Sequence, residues 1–269
     1  EGKWKGLPIR FVRSRPISDS LADFIMKRTT SALEYFTEKI GPYPFDTITI
    51  VELDNFGLEA GGMEYPSLVQ ITSRMSLMGR ALDHELAHQW FYGVIGFNET
   101  DEPWLDEGLS SYYEFRLDRY RGSRVFGPIR YTNLDIAYLT YSRSRLRDAS
   151  ATAVNHGQNS RFFGYVKAPV VFSMLASFIT EEKFDAFIQE FVRLYSYKHP
   201  DTQETLGFFA DRLEPQIYSA FEKALTGSAV NYNIVKEKGE LRVEKSIADI
   251  PARPLSVVYK EIGRASCRE

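Results

Sequence analysis

Two histidines four residues apart, with a glutamate beside the first, constrain this chain more than any other stretch. They sit in Asp83-His84-Glu85-Leu86-Ala87-His88-Gln89-Trp90. On an α-helix, positions i and i+4 lie about 40° apart around the axis and one turn apart along it. Both imidazoles can therefore reach one ion, and Glu85 can face the same point. This is the H-E-x-x-H pattern, in which the histidines ligate zinc and the glutamate serves as a base. A catalytic zinc takes three protein ligands and keeps one position open. Glu107 is the candidate for the third ligand. It follows His88 after 18 intervening residues, near the start of a second predicted helix.

The apolar residues around the cluster also favour a bound cation. The helix expected over 76–95 carries Leu77, Met78, Ala81, Leu82, Leu86, Trp90 and Phe91, apolar around much of its circumference. Burying Asp83, His84, Glu85 and His88 there without partners would cost on the order of a few kcal/mol each. A metal ion held by them removes that cost. The other two histidines, His156 and His199, fall in polar stretches and read as surface residues. Asp106 reads as a first-turn acid favoured by the helix dipole, rather than as an acceptor behind a ligand histidine.

The chain has 269 residues, 43% of them hydrophobic, which is enough for a sizeable core. A net charge of −3 without a basic stripe argues against nucleic acid as a partner. No run of 18 apolar residues occurs, so no transmembrane segment is expected. The single cysteine, Cys267, lies in a tail (residues 261–269) that resembles translated adaptor sequence and is set aside from fold reasoning. No disulfide is then expected.

Helices are expected over 18–40, 76–95, 104–121, 126–147, 169–178, 181–195, 202–213 and 215–225, from apolar spacing and from Gly and Pro stops. Strands are expected at 9–12, 47–51 and 68–71, and at 232–235, 239–243 and 255–259. Gly61-Gly62-Met63-Glu64-Tyr65 falls between two of these strands. Paired glycines suit a place where another backbone comes close.

Three motifs in order point to a family. His84-Glu85-x-x-His88 with Glu107 resembles the gluzincin peptidases, thermolysin-like zinc enzymes with a glutamate as third ligand. Gly61-Gly62-Met63-Glu64-Tyr65 resembles the exopeptidase motif of the aminopeptidase N family. Tyr165-Val166-Lys167-Ala168 is similar to that family's catalytic tyrosine segment. The resemblance covers residues 15–225. It implies an α+β fold: a thermolysin-like zinc metallopeptidase catalytic domain, mostly helical, with a small sheet near its N-terminal side. In domain terms, 1–14 would end an upstream β-domain, 15–227 form the catalytic domain, and 228–260 begin a C-terminal β-domain.

The resemblance also implies roles. His84, His88 and Glu107 hold one zinc ion, Glu85 is the general base, and Tyr165 donates to the oxyanion. Glu64 pairs with the free N-terminal amine of a peptide substrate, while Gly61, Gly62 and Met63 line its backbone. Tyr65 departs from the family's usual Asn. Three other readings use the same motifs: an endopeptidase, an epoxide hydrolase of the leukotriene hydrolase kind, and an inactive interaction module. Glu64 argues against the first, because an endopeptidase has no need of a free amine. The complete set of ligands, base and tyrosine argues against the last.

Overall fold

The computed structural model describes residues 1–246 apart from 14–17, 54–60, 74, 123, 127–128, 147, 153–158, 228–230 and 238–239. His156 and the strand expected at 255–259 lie outside the described residues.

The N-terminal part builds a five-stranded sheet. Its strands are β1 (Gly2–Trp4), β2 (Leu7–Arg13), β3 (Ile48–Leu53), β4 (Gly62–Met63) and β5 (Leu68–Thr72), in the order β1-β2-β3-β5-β4. β2, β3 and β5 run parallel, and β4 pairs antiparallel with β5, Gly62 opposite Ile71 and Met63 opposite Gln70. The residues expected to close an upstream β-domain therefore pair here with β3. Ile48 and Ile50 alternate inward along β3 and are fully buried, as a half-buried strand requires.

Helix α1 (Asp19–Lys39) crosses between β2 and β3. Ser18 caps it, its Oγ accepting from the Leu21 N–H at 3.3 Å. After β5 come α2 (Met75–Ala87) and α3 (Pro103–Arg121). The regular part of α2 is shorter than the helix expected over 76–95. Beyond Ala87 the chain continues in irregular turns, because the Gln89 and Trp90 amides bond three residues back, to Leu86 and Ala87, at 3.2 and 3.1 Å. Pro103 starts α3, a position where its missing N–H costs nothing.

The long helix expected over 126–147 is corrected. A short hairpin, β6 (Arg124–Phe126) with β7 (Ile129–Tyr131), comes first, and α4 covers only Asn133–Arg143. Gly127-Pro128 breaks the helical pattern, and a capping box at Thr132 and Asp135 starts the helix afresh. The chain then passes through α5 (Ser160–Phe162), a π-helical turn (Phe163–Lys167) and α6 (Ala168–Ile179) without a break. Next come α7 (Glu181–Tyr195), α8 (Thr202–Ala210) and α9 (Pro215–Thr226), then a hairpin of β8 (Asn231–Glu237) and β9 (Glu240–Ser246).

The core sits around α3, which is buried along most of its length and packs against α2, α6 and the π-helical turn. Two of its buried charged residues find partners on neighbouring elements. Arg116 meets Asp185 of α7 through both nitrogens, and Asp118 accepts from the Asn133 N–H at 3.0 Å. Ser160–Ile179 is long and apolar enough to cross a membrane by length and composition. However, 67% of its apolar window is buried inside this fold, as expected of a core helix.

Candidate active site

α2 carries His84 and Glu85, and the turn beyond its last regular residue carries His88. The His88 N–H still donates to the His84 carbonyl at 3.3 Å, so the two imidazoles keep their helical spacing. α3 brings Glu107 to meet them. Its Oε2 lies 2.9 Å from His84 Nε2 and 3.3 Å from His88 Nε2, and the two Nε2 atoms are 3.1 Å apart. One donor atom from each of the three residues lies within 4.8 Å of the other two. Two imidazole nitrogens and a carboxylate oxygen are the donor set of a His₂Glu zinc site.

The local field also suits a cation. Burial alone would lower both histidines, but the Glu107 carboxylate outweighs it. His84 is held well above its ordinary value, with Glu114 adding to the effect, and His88 is pushed up to about 9. Burial raises Glu107, but its bonds to the two histidines prevail and hold it below the usual carboxylate range. The three ligands together attract positive charge to the point where they meet.

Tyr165 closes the site from the π-helical turn. Its hydroxyl donates to Glu107 Oε1, and its ring stacks on His84 with centroids 5.3 Å apart. Burial and the Glu107 charge keep the phenol protonated. Gly164 makes this approach possible, since a Cβ there would come within 2.8 Å of Glu107 Cβ and 2.9 Å of the Pro103 carbonyl. π-helical turns of this kind recur at functional sites.

Glu85 is 5% exposed and its Oε2 has no hydrogen-bond partner. Burial pushes its carboxyl up to about 8 against the pull of the two histidines. Edge strand β4 lies directly over it. A Cβ on Gly62 would sit 2.2 Å from Glu85 Oε1, so this glycine is needed for packing on Glu85 as well as for any approach of a substrate. Glu64 follows β4 and is 8% exposed. Its charge acts on Glu85, His88 and Tyr165.

The matching family model is the peptidase family M1 domain, which covers residues 24–223. The chain belongs to peptidase family M1. Human aminopeptidase Q is 24% identical over 79% of this chain and 23% of its own length. Rabbit (Oryctolagus cuniculus) aminopeptidase N is 26% identical over 70% and 22%. The chain thus spans about a quarter of the curated relatives it matches. Among solved structures, an M1 zinc metallopeptidase from Deinococcus radiodurans superposes with a TM-score of 0.66, at 18% identity, over 83% of this chain and 49% of that one. A Legionella pneumophila aminopeptidase A, in complex with aspartic acid, gives 0.66 at 16% identity, over 89% and 29%. The α+β, mostly helical fold expected from the sequence is therefore the M1 fold, and zinc is the metal that goes with it.

The structure brings His84, His88, Glu107, Glu85 and Tyr165 together around one point and sets Glu64, with Gly61, Gly62 and Met63, beside them. Two further residues of this M1 site were not singled out from sequence. Glu114 lies behind His84, its Oε2 3.3 Å from Nδ1, and is held by Arg80 at 2.7 Å. It stands seven residues past Glu107, two turns along the same face of α3. Gln89 clamps the chain after β4 to the metal helix. Its Oε1 accepts from the Ser67 N–H at 2.7 Å and its Nε2 donates to the Tyr65 carbonyl at 3.2 Å. Helical spacing was the available signal for both, since Gln89 is four past Glu85. Asp106 is fully buried in the first turn of α3 and accepts from the Glu107 N–H at 2.7 Å, while burial and the Glu107 charge raise its carboxyl well above the usual range. His199 is exposed, and its Nδ1 lies 2.8 Å from the Gly96 carbonyl oxygen.

Proposed function

We propose that this chain is the catalytic core of a zinc aminopeptidase, which releases one residue at a time from peptides with a free N-terminus. The observation that carries this reading is a single convergence. A His-His-Glu ligand set, a buried glutamate with a free oxygen, and a second buried carboxylate just past the adjoining strand lie close enough for their charges to act on one another. The named aminopeptidases among the relatives support it. A structure of the Deinococcus radiodurans enzyme bound to a Tyr-Ser-Ala substrate supports peptides as the substrate class.

His84, His88 and Glu107 would hold one zinc ion. When bound, zinc supplies Lewis-acid polarisation of the scissile carbonyl and makes water more acidic. Glu85 takes the proton of the attacking water and returns it to the leaving amine. Its burial helps, because a carboxylate short of hydrogen bonds is a better proton acceptor than a solvated one. Tyr165 donates its O–H to the oxyanion that forms at the former carbonyl. Its bond to Glu107 holds the ring in position before substrate arrives. Glu64 pairs with the α-ammonium and so sets the first peptide bond over Glu85. A blocked N-terminus leaves that carboxylate buried without a cation, which selects against it.

The test is Glu85→Gln in the full polypeptide. Its zinc content should match the wild type while turnover falls by at least about 100-fold. Wild-type turnover with zinc bound would remove Glu85 from the chemistry.

A further inference from the structure

Gln89 is fully buried one helical turn past Glu85, on the face that meets the chain after β4. Its carboxamide bonds in three directions. Oε1 accepts from the Ser67 N–H at 2.7 Å, and Nε2 donates to the Tyr65 carbonyl at 3.2 Å. Nε2 also reaches the Glu85 carbonyl, more weakly, at 3.5 Å. A regular helix would pair that carbonyl with the Gln89 N–H, but this N–H bonds to Leu86 instead. The tightening of the chain after Ala87 thus leaves the main chain of Glu85 to the Gln89 side chain. One carboxamide joins the main chain of the buried glutamate to the two residues that flank Pro66.

The turn that Gln89 holds does not suit its own sequence. The Leu68 N–H donates to the Tyr65 carbonyl at 3.0 Å, so Pro66 and Ser67 are its central residues. Ser67 has a φ of 60°. Proline at the first central place and a positive φ at the second mark a type II turn, where glycine or asparagine is usual. Serine there is held against its preference, and the bond from its N–H to Gln89 offsets that. The sheet gives β4 little other hold. β4 pairs with β5 over two residues, and the Thr72 N–H donates to the Gly61 carbonyl at 2.8 Å. These bonds fix β4 to β5 and not to α2. Among the described residues, the hydrogen bonds from this hairpin to the segment carrying His84 and His88 come from the Gln89 side chain. Glu64 lies within the stretch so held, between Gly62, packed on Glu85, and the clamped Tyr65.

We infer that Gln89 is a positioning residue, which through the 65–68 turn fixes Glu64 relative to the His-His-Glu cluster and so determines how strongly the site prefers a free N-terminus. This rests on the aminopeptidase reading and deepens it. Gln89 acts through the turn and not by touching substrate. If the turn relaxes, the Glu64 carboxylate shifts relative to the base, and a peptide that is placed by its amine loses its alignment with Glu85. A peptide with a blocked amine makes no use of Glu64 and is indifferent to the shift.

The experiment compares full-length, zinc-loaded wild type, Gln89→Met and Ser67→Val on a free tripeptide and on its N-acetylated twin, with zinc content measured for each protein. Gln89→Met keeps the length of the side chain and removes its bonds. It should lower the ratio of kcat/KM for the free peptide to that for the twin about 10- to 100-fold, the scale of a misaligned substrate. Cleavage of the twin should stay within about twofold, since only alignment by the amine is lost. Ser67→Val, a β-branched residue at a positive φ, opens the same turn from the sheet side and away from the ligands. It should lower the ratio in the same direction with zinc content unchanged, and it carries the test if Gln89→Met does not fold or load zinc. A purely structural role would lower both rates together and leave the ratio as it was. An unchanged ratio in the zinc-loaded variants overturns the role of Gln89 and leaves the aminopeptidase reading standing. Equal cleavage of both peptides by wild type overturns that reading itself, and this inference with it.

Discussion

Glu107 is contacted from three sides: by His84 at 2.9 Å, by His88 at 3.3 Å and by the Tyr165 hydroxyl. The pattern His84-Glu85-x-x-His88 needed only helical spacing to be legible. The distance from His88 to Glu107 fixed the third ligand only through family likeness, because nothing in a spacing of 18 says how a loop returns. Tyr165→Phe should lower kcat about 100- to 1000-fold with little rise in KM, since its bond to the oxyanion forms mainly in the transition state. Steady-state kinetics decide this, and a defect confined to KM would place the phenol in ground-state binding. Lys167, two residues on, is a different case. It is fully buried, its Nζ donates to the Ala149 carbonyl, and burial pulls it from 10.5 down to about 8. Below pH 8 it is charged in both folded and unfolded chains, and the fold bears the full desolvation cost. Between pH 8 and 10.5 the unfolded chain keeps the proton that the native state has lost, so this cost fades as pH rises. Thermal melts of wild type and Lys167→Met should therefore converge, by a few degrees, as pH goes from 7 to 10. A gap that widens with pH would contradict the assignment.

At the scale of elements, α2 is held on both sides by one residue. Asp83 accepts from Arg28 of α1 and from Arg121 of α3, both guanidinium groups about one-fifth exposed. Asp83→Asn keeps the shape but leaves two cations with a neutral partner. A loss of about 1–3 kcal/mol follows, less than for a fully buried pair because water reaches the arginines. The melting temperature should fall by about 2–4 °C per kcal/mol, and an unchanged melt would show that the two arginines find other partners. Strands β3 and β5 and helices α1, α3, α7 and α9 were legible because period, cap and stop agree. The region 126–147 was not, because its tyrosines and arginines fit a helix face as well as a hairpin. Gly127-Pro128 was the signal that should have divided it. The end of α2 was illegible for another reason. Bonding three residues back leaves no mark in the sequence, and the apolar run 86–95 looks helical throughout.

For the whole molecule, the sheet and the helices divide the work. The sheet ends in edge strand β4, which lays Gly62 on Glu85 with Glu64 just beyond it, while α2, α3 and the π-helical turn carry the His-His-Glu cluster and the phenol. The sequence motifs named both halves, but the clamp between them, Gln89 to Ser67 and Tyr65, became visible only in three dimensions. In the proposed aminopeptidase, that clamp would fix Glu64 relative to the His-His-Glu cluster, and this spacing would separate an enzyme that counts one residue from the N-terminus from one that cuts anywhere. The most direct measurement is hydrolysis of a tripeptide with a free N-terminus beside that of its N-acetylated twin by the zinc-loaded full-length protein, each with and without a chelator. Chelator-sensitive release of one residue at a time from the free peptide, with the twin cleaved at least about 100-fold more slowly, is the expected result. Equal cleavage of both peptides would contradict it and leave Glu64 without the role assigned to it.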